Sequence, residues 1–258
     1  MTMLSSAINE QGRIAFYAFT IIILAGGVTM YVLLLASGSP VHPNTRWIEP
    51  WIVANSSSNT FPYRSSSWTM YDYCFTANIG TRGVNRYCSP SSAAYPFDPR
   101  TNGGHFFSTD QVYDDFLNTD KYFYMSRFQY PFYILAVISL GIAFLASFFI
   151  LWFYIAGIIT CSCSAVATLF GLLAASLSTG TYVQAAKVFR DHGDSAEVSH
   201  ILMGLAWTNV VIGLICTLFS LLSIPPALIP KKNARRDSEL GRVESYIDKD
   251  DFSIEARE

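Results

Sequence analysis

The sequence predicts an all-α membrane protein, a four-helix transmembrane bundle with a small β-rich, disulfide-closed extracellular domain. Of its 258 residues, 51% are hydrophobic and only 14% are charged, whereas about 25% are charged in an average soluble domain. The 59 residues from Phe128 to Ala186 contain no Asp, Glu, Lys, Arg or His. No soluble core needs such a stretch, and its length suits two helical membrane spans.

The first span is predicted at residues 14–36, which form 23 consecutive residues without a charge. A helix needs about 20 mostly apolar residues to cross a bilayer. Arg13 precedes this span and makes residues 1–13 a predicted cytoplasmic N-terminus. The alternative is that the span is a cleaved signal peptide, with the small residues Ala36, Ser37 and Gly38 as the cleavage site. The orientation of the rest of the chain is the same in both cases.

Three further spans follow from the same reasoning. The long uncharged stretch divides into spans at residues 131–154 and 161–183, joined by a cytoplasmic turn at residues 155–160. The fourth span covers residues 201–224 and is stopped by Pro225 and Pro226. The cytoplasmic tail, residues 225–258, opens with four basic residues, Lys231, Lys232, Arg235 and Arg236. Basic residues flank spans on the cytoplasmic side, so both termini are predicted to be cytoplasmic.

Residues 37–130 then form the extracellular domain, and residues 184–200 form a second extracellular loop. The run from Trp68 to Thr76 is rich in aromatic and β-branched residues, and residues 80–83 contain two glycines, so a β-hairpin is predicted. Cys74 and Cys88 are the two cysteines on this side, and the extracellular compartment is oxidising. A disulfide between them is the simplest interpretation; two free thiols are the alternative.

Three further features indicate modification or local structure. Asn55 begins the N-glycosylation sequon Asn55-Ser-Ser. Residues 108–111 have the form of a capping box, which predicts a helix leading into the second span. Cys161 and Cys163 lie at the predicted cytoplasmic start of the third span, where they are candidates for S-palmitoylation or are buried thiols.

Several functional classes lose their usual sequence support. A net charge of −2 gives no basic field for nucleic acid, and the predicted spans contain no ionisable residue of the kind that transport pathways need. The acidic residues and histidines lack metal-ligand spacing, and no nucleophile, base and orienting group occur at recognisable spacing. We therefore predict no catalytic residues, no metal and no cofactor. The basic start of the tail suits the anionic lipids of the inner leaflet.

Small residues recur four apart in two spans. Ala167, Gly171 and Ala175 form one stripe, and Gly204 and Thr208 form another. Such stripes let helices approach closely. We favour packing inside the bundle, with contact to a second copy as the alternative.

The outer loop carries a recognisable set of residues. Trp68 is followed by Cys74 and Cys88, and then by an element with the form Pro-Phe-x-Pro-x-x-Asn, made of Pro96, Phe97, Pro99 and Asn102. Arg127 ends a Tyr124-Met-Ser-Arg127 run just before the second span. With the stretch from Gly180 to Trp207, these motifs resemble the SUR/PalI family of fungal four-span plasma-membrane proteins, which includes residents of eisosomes. The Trp and two-Cys pattern is also similar to that of claudins.

The resemblance implies a non-enzymatic, structural role. A member of this family is expected to organise a plasma-membrane microdomain, the eisosome, and to support membrane and cell-wall organisation and endocytosis. The implied partners are eisosome proteins, further copies of the chain in a lateral assembly, and membrane lipids including sphingolipid or sterol. The alternative comes from the PalI branch, whose members imply an accessory subunit of a plasma-membrane pH or stress sensor.

Overall fold

The protein is described by a computed structural model, which covers residues 2–37, 50–55, 63–78, 84–102, 113–117, 119–150 and 152–222. Four helices in these ranges are long and apolar enough to cross a membrane: α1 (Thr2–Ala36), α4 (Lys121–Ser147), α5 (Tyr154–Asp191) and α6 (His200–Leu222). Two short helices, α2 (Pro99–Asn102) and α3 (Asp114–Leu117), lie between α1 and α4 in the chain. The predicted fold, with four membrane-length helices and a small sheet, is confirmed.

The boundaries of α4 and α5 correct the predicted spans. Helix α4 begins ten residues before residue 131, includes Pro131 and ends at Ser147. Gly157, expected in a turn, lies inside α5, and the connection runs instead between Ser147 and Tyr154. This connection is as apolar and aromatic as the spans themselves, so its composition does not mark it as a turn. Helix α5 also continues through residues 184–191, which were predicted to be loop.

In the part of the chain that the structure describes, five strands form one antiparallel sheet in the order β4-β3-β2-β1-β5. Their bounds are β1 (Ile52–Asn55), β2 (Tyr63–Trp68), β3 (Tyr73–Asn78), β4 (Val84–Cys88) and β5 (Ser195–Val198). The predicted hairpin is formed by β3 and β4, and their register places Cys74 opposite Cys88. These two cysteines form the predicted disulfide. Strand β5 comes from the second predicted loop and pairs with β1, which was not predicted.

The stripe of small residues on α5 packs inside the bundle. Ala167 and Ala175 are buried, and a Cβ atom added at Gly171 would overlap the hydroxyl group of Tyr31 on α1. The favoured interpretation of this stripe is therefore confirmed. On α6, by contrast, Gly204 and Thr208 are both exposed. A Cβ atom added at Gly204 would meet nothing within 4 Å.

Large apolar side chains cover the outer faces of the four long helices. Ile22, Leu145 and Ile155 are each more than half exposed, and many Leu, Ile, Val and Phe side chains resemble them. A surface of this kind suits the acyl chains of a bilayer rather than water.

Candidate functional site

The sheet is fastened to the helices by a cluster of buried aromatic rings, which we call the aromatic junction. Its members come from the residue before β1, from β2, from the segment before α2, and from helices α3 and α5, and each is less than 2% exposed: Trp51, Trp68, Phe97, Phe116, Tyr182 and Phe189. Buried aromatic pairs of this kind stabilise by their burial and by about 0.5–1.5 kcal/mol for each well-oriented pair. The junction therefore fixes the sheet in one position over the helices.

Trp68 lies at the centre of the junction. Its ring is 5.0 Å from the ring of Phe97, 6.0 Å from that of Phe189 and 4.8 Å from that of Tyr73. One aromatic residue at the end of β2 thus contacts its own sheet, the segment before α2 and the distal part of α5. The resemblance singled out Trp68, and the geometry supplies a physical role for it.

Trp51 makes a second set of contacts with α4 and α5. Its ring stacks on Tyr182 at 5.1 Å and lies 6.4 Å from Tyr133. The hydroxyl group of Tyr182 accepts a hydrogen bond of 2.7 Å from Gln129 Nε2. The backbone carbonyl of Trp51 also accepts a bond from the amide of Ser199, just after β5. Trp51 therefore joins both helices to the sheet at the start of β1 and the end of β5.

The Pro-Phe-x-Pro element anchors the segment after β4. Phe97 places its ring in the junction and donates its amide hydrogen to Ser126 Oγ on α4, at 2.9 Å. Asp98 Oδ1 accepts from the amide and from Nε of Arg100, and Arg100 Nη2 donates to Asp120 at 2.6 Å. The bond to Asp120 is the main reason that the pKa of the Arg100 guanidinium is raised, and Asp98 adds to it.

The remaining motif residues contribute less. Pro96 and Pro99 flank Phe97 and Asp98, and Pro99 opens α2, where its lack of an amide hydrogen costs nothing. The backbone of Asn102 ends α2, and its side chain lies outside the described residues. Arg127 is exposed on α4, with its guanidinium 5.2 Å from the centre of the Phe123 ring.

The disulfide closes the sheet at its β4 side. Cys74 is buried and Cys88 is exposed. A carboxylate oxygen of Asp72 and both sulfur atoms lie within 4.8 Å of one another, and this is the one cluster of candidate metal ligands among the described residues. Because the two sulfur atoms are bonded to each other, the cluster offers a metal ion only a carboxylate.

The candidate modification sites are only partly described. Asn55 is exposed at the end of β1, while the other two residues of its sequon lie outside the described residues. Cys161 and Cys163 are half-buried near the start of α5. The capping box at residues 108–111 and the basic residues of the tail, Lys231, Lys232, Arg235 and Arg236, also lie outside the described residues.

One contact was missed at the level of the sequence. The hydroxyl group of Tyr113 donates a hydrogen bond to Asp194 Oδ2, and its ring stacks on His192 at 3.9 Å. Burial, assisted by the hydrogen bond to Asp194 and its negative charge, raises the pKa of Tyr113. These residues are about 80 positions apart in the chain, and no local pattern joins them. The contact connects the segment before α3 with the turn between α5 and β5.

The first helix is tied to the sheet as well. The hydroxyl group of Tyr71, in the turn between β2 and β3, donates to the carbonyl of Leu35 in the last turn of α1, at 2.6 Å. The turn itself is closed by Thr69, whose backbone amide donates to the carbonyl of Asp72 at 2.9 Å. The sheet thus has direct bonds or ring contacts to α1, α4 and α5. The arrangement is a rigid platform at one end of the helices.

Several known proteins are similar to this chain over most of its length. A model of the SUR7/PalI family matches residues 16–219. The chain is 29% identical over 233 residues to Protein SUR7 of Candida albicans, covering 89% of this chain and 82% of that protein. It is 30% identical over 204 residues to the SUR7 family protein FMP45 of Saccharomyces cerevisiae, covering 77% and 62% of the two chains. It is also 28% identical over 213 residues to the Uncharacterized plasma membrane protein YNL194C of the same yeast, covering 79% and 67%.

Proposed function

Since the chain belongs to the SUR7/PalI family, we propose that it is a structural, non-enzymatic organiser of a fungal plasma-membrane microdomain, the eisosome. In this role it supports membrane and cell-wall organisation and endocytosis. The name of one relative, which calls it a plasma membrane protein, supports this location. The observation that carries the proposal is the aromatic junction, which holds the sheet on the helices as one rigid platform.

The platform suits the work of an organiser. A protein that holds neighbours in place needs a surface whose position is fixed relative to the membrane, and the contacts of the sheet to α1, α4 and α5 supply this. We propose that the sheet faces the outside, where an oxidising compartment preserves the disulfide, and that both termini are cytoplasmic. The basic start of the tail then lies near the anionic lipids of the inner leaflet.

The test is imaging in living fungal cells. A fluorescent tag at the C-terminus is observed beside a marker of the eisosome coat, with wild type and Trp68→Ala compared at matched surface levels. We expect immobile patches that coincide with the marker for wild type, and diffuse signal for the variant because its sheet is loosened. Trp152→Ala, which alters an exposed ring, is the matched control and keeps the patches. Diffuse, mobile wild-type protein contradicts the proposal.

A second candidate function is an accessory subunit of a plasma-membrane pH or stress sensor. The observation in its favour is the exposed ring of His192, stacked on Tyr113 at the end of α5. Loss of an alkaline-pH response on deletion of the protein, restored by wild type but not by His192→Ala, supports this candidate. An unchanged response in the deletion strain rules it out.

A further inference from the structure

The turn between α4 and α5 presents apolar side chains at the end of the bundle opposite the sheet. The sheet and its flanking segments contact the last turn of α1 and the first two turns of α4, so the end of α4 lies at the other end. In this turn Phe149 is 49% exposed, Trp152 is 75% exposed and Phe153 is 62% exposed. Residues 148–153 consist only of Phe, Ile, Leu and Trp. An exposed apolar patch of this kind is typical of a surface that contacts a membrane or another molecule.

The length of α4 places this turn at the far boundary of the membrane. Arg127, exposed on α4, is the last charged residue before the uncharged residues 128–186. From Arg127 to Ser147, the last residue of α4, the helix rises about 30 Å, and the hydrocarbon layer of a bilayer is also about 30 Å thick. With Arg127 at one boundary of this layer, the end of α4 therefore reaches the opposite boundary.

Helix α1 gives a second measure of the depth of the turn. A Cβ atom added at Gly27 would lie 3.0 Å from Leu140 Cδ2 on α4, so these two residues are at about the same level. The two helices run in opposite directions, and the same number of residues leads from this level to Ser147 on α4 and to Thr20 on α1. Residues 14–20 of α1 are uncharged and continue the helix about 10 Å further. The turn therefore begins at a level where α1 is still uncharged.

The backbone of the turn suits a layer that contains little water. The amides of Phe149, Ile150, Trp152 and Phe153 each donate to a carbonyl group within residues 146–149, at 2.9–3.4 Å. Backbone groups without partners are costly where water is scarce, and irregular segments exposed to lipid do not occur in the hydrocarbon layer. Tryptophan rings favour the boundary between the head groups and this layer. The turn is therefore suited to that boundary rather than to water or to the centre of the bilayer.

We propose that residues 148–153 lie in this boundary, in the leaflet opposite the sheet, and contact the glycerol groups and upper acyl chains of phospholipids. Lipid is the partner because the patch continues the apolar outer faces of α4 and α5, where Leu145 and Ile155 are more than half exposed. The depth of the turn is set by the helices that lead to it, so no single ring is needed to hold it there. The inference goes beyond the proposed function and does not depend on it.

The test measures the depth of Trp152 by fluorescence quenching of the full chain in phosphatidylcholine nanodiscs, where both faces of the membrane are open to solutes. The signal of Trp152 is the difference between wild type and Trp152→Phe. It is recorded with iodide in the water, and with lipids that carry bromine either high on the acyl chain or near its end. Bromine high on the chain should quench this signal at least about twofold more than bromine near the end, because the boundary is shallow.

The matched control is Asp114→Trp, because Asp114 is exposed on α3, at the sheet end of the molecule. The signal that this substitution adds should be quenched by iodide and not by brominated lipid. Iodide should quench the signal of Trp152 no more than about one-fifth as strongly, because the boundary excludes the ion. Phe153→Trp repeats the measurement one residue along the turn and should give the same pattern. Equal melting temperatures show that the variants are folded.

Three results would each overturn the inference. Quenching of Trp152 by iodide as strong as in the control would place the turn in water. Stronger quenching by bromine near the chain end would place it inside the hydrocarbon layer. Quenching by neither agent would mean that protein, such as a second copy, covers the ring.

Discussion

Substitution of Trp68 tests whether the aromatic junction holds the sheet in place. Trp68 is fully buried, and a large aromatic side chain buries about 150–250 Å². At about 25 cal/mol per Å², its removal costs about 4–6 kcal/mol, and measured substitutions of this kind cost about 3–5 kcal/mol. The indole Nε1 has no hydrogen-bond partner among the described residues, and such burial costs about 1–3 kcal/mol. We therefore expect Trp68→Ala to destabilise sheet docking by about 3 kcal/mol.

The variant Trp68→Phe separates the contribution of aromatic packing from the cost of burying the indole N–H group without a partner. Trp68→Phe keeps an aromatic ring and removes the unpartnered N–H group, so we expect a loss of about 1 kcal/mol. If Trp68→Phe lost as much stability as Trp68→Ala, the indole nitrogen of wild type would have to have a hydrogen-bond partner in solution. That result would refute the assignment of Nε1 as a destabilising group.

The assay is hydrogen exchange of the backbone amides in β1 and β2, in detergent or nanodiscs. Sheet undocking is a local opening, and a loss of about 3 kcal/mol raises its exchange rate by about two orders of magnitude. The matched control is Trp152→Ala, which removes a ring that is 75% exposed, and it should leave the exchange of these strands unchanged. An increase of less than about fivefold for Trp68→Ala would refute the central role of this residue in the junction.

Three other predictions concern separate parts of the molecule. Cys74→Ser opens the disulfide and should lower the unfolding free energy of the sheet by about 3 kcal/mol, measured by denaturant titration without reductant, because a short closed loop constrains the unfolded chain. Gly171→Ala should lower the melting temperature through its overlap with the Tyr31 hydroxyl group, at a cost of about 1–3 kcal/mol, and Tyr31→Phe should restore part of the loss. The pKa of Tyr113 is raised in the folded protein. The resulting stabilisation is present in full below the pKa of tyrosine in the unfolded chain, near 10, and is lost as the pH rises through the pKa of the folded state. Tyr113→Phe removes the hydroxyl group that donates to Asp194. The melting temperature of this variant should therefore fall less steeply above pH 10 than that of wild type.

Each of these predictions has its own control. Reduced wild-type protein should match Cys74→Ser, and a difference between the two would assign the effect to the serine itself. Gly204→Ala should be harmless, since a Cβ atom there meets nothing within 4 Å; equal losses at both glycines would point to helix propensity rather than overlap. Parallel alkaline profiles for wild type and Tyr113→Phe would mean that other groups control the loss of stability at high pH.

The sequence contains enough information to predict the number of spans and the hairpin. A span requires only a long apolar stretch, and that property is visible in composition. The pairing of Cys74 with Cys88 also follows from local chemistry, because turn-forming glycines lie between two strand-like runs. Both predictions depend on residues that are close together in the chain.

The features that were not predicted depend on contacts between residues far apart in the chain or on backbone geometry. Strand β5 has only four residues, and its partner β1 lies about 140 positions earlier; a four-residue alternation is too short to be distinctive. The turn between α4 and α5 contains Phe149, Trp152 and Phe153 and no charged residue, so its composition does not distinguish it from a span. The aromatic junction likewise gathers rings from five separate segments, and two of its members, Trp51 and Phe116, belonged to no motif.

The late position of β5 in the chain has a consequence for biosynthesis. Strands β1 to β4 emerge before α4, whereas β5 follows α5. The ribosome therefore delivers the partner of β1 only after two more helices have entered the bilayer. Until then one side of β1 is open, and an exposed strand edge is a template for wrong pairing. If the α4–α5 hairpin inserts incorrectly, β5 does not reach β1, and this edge stays open to wrong pairing with another chain.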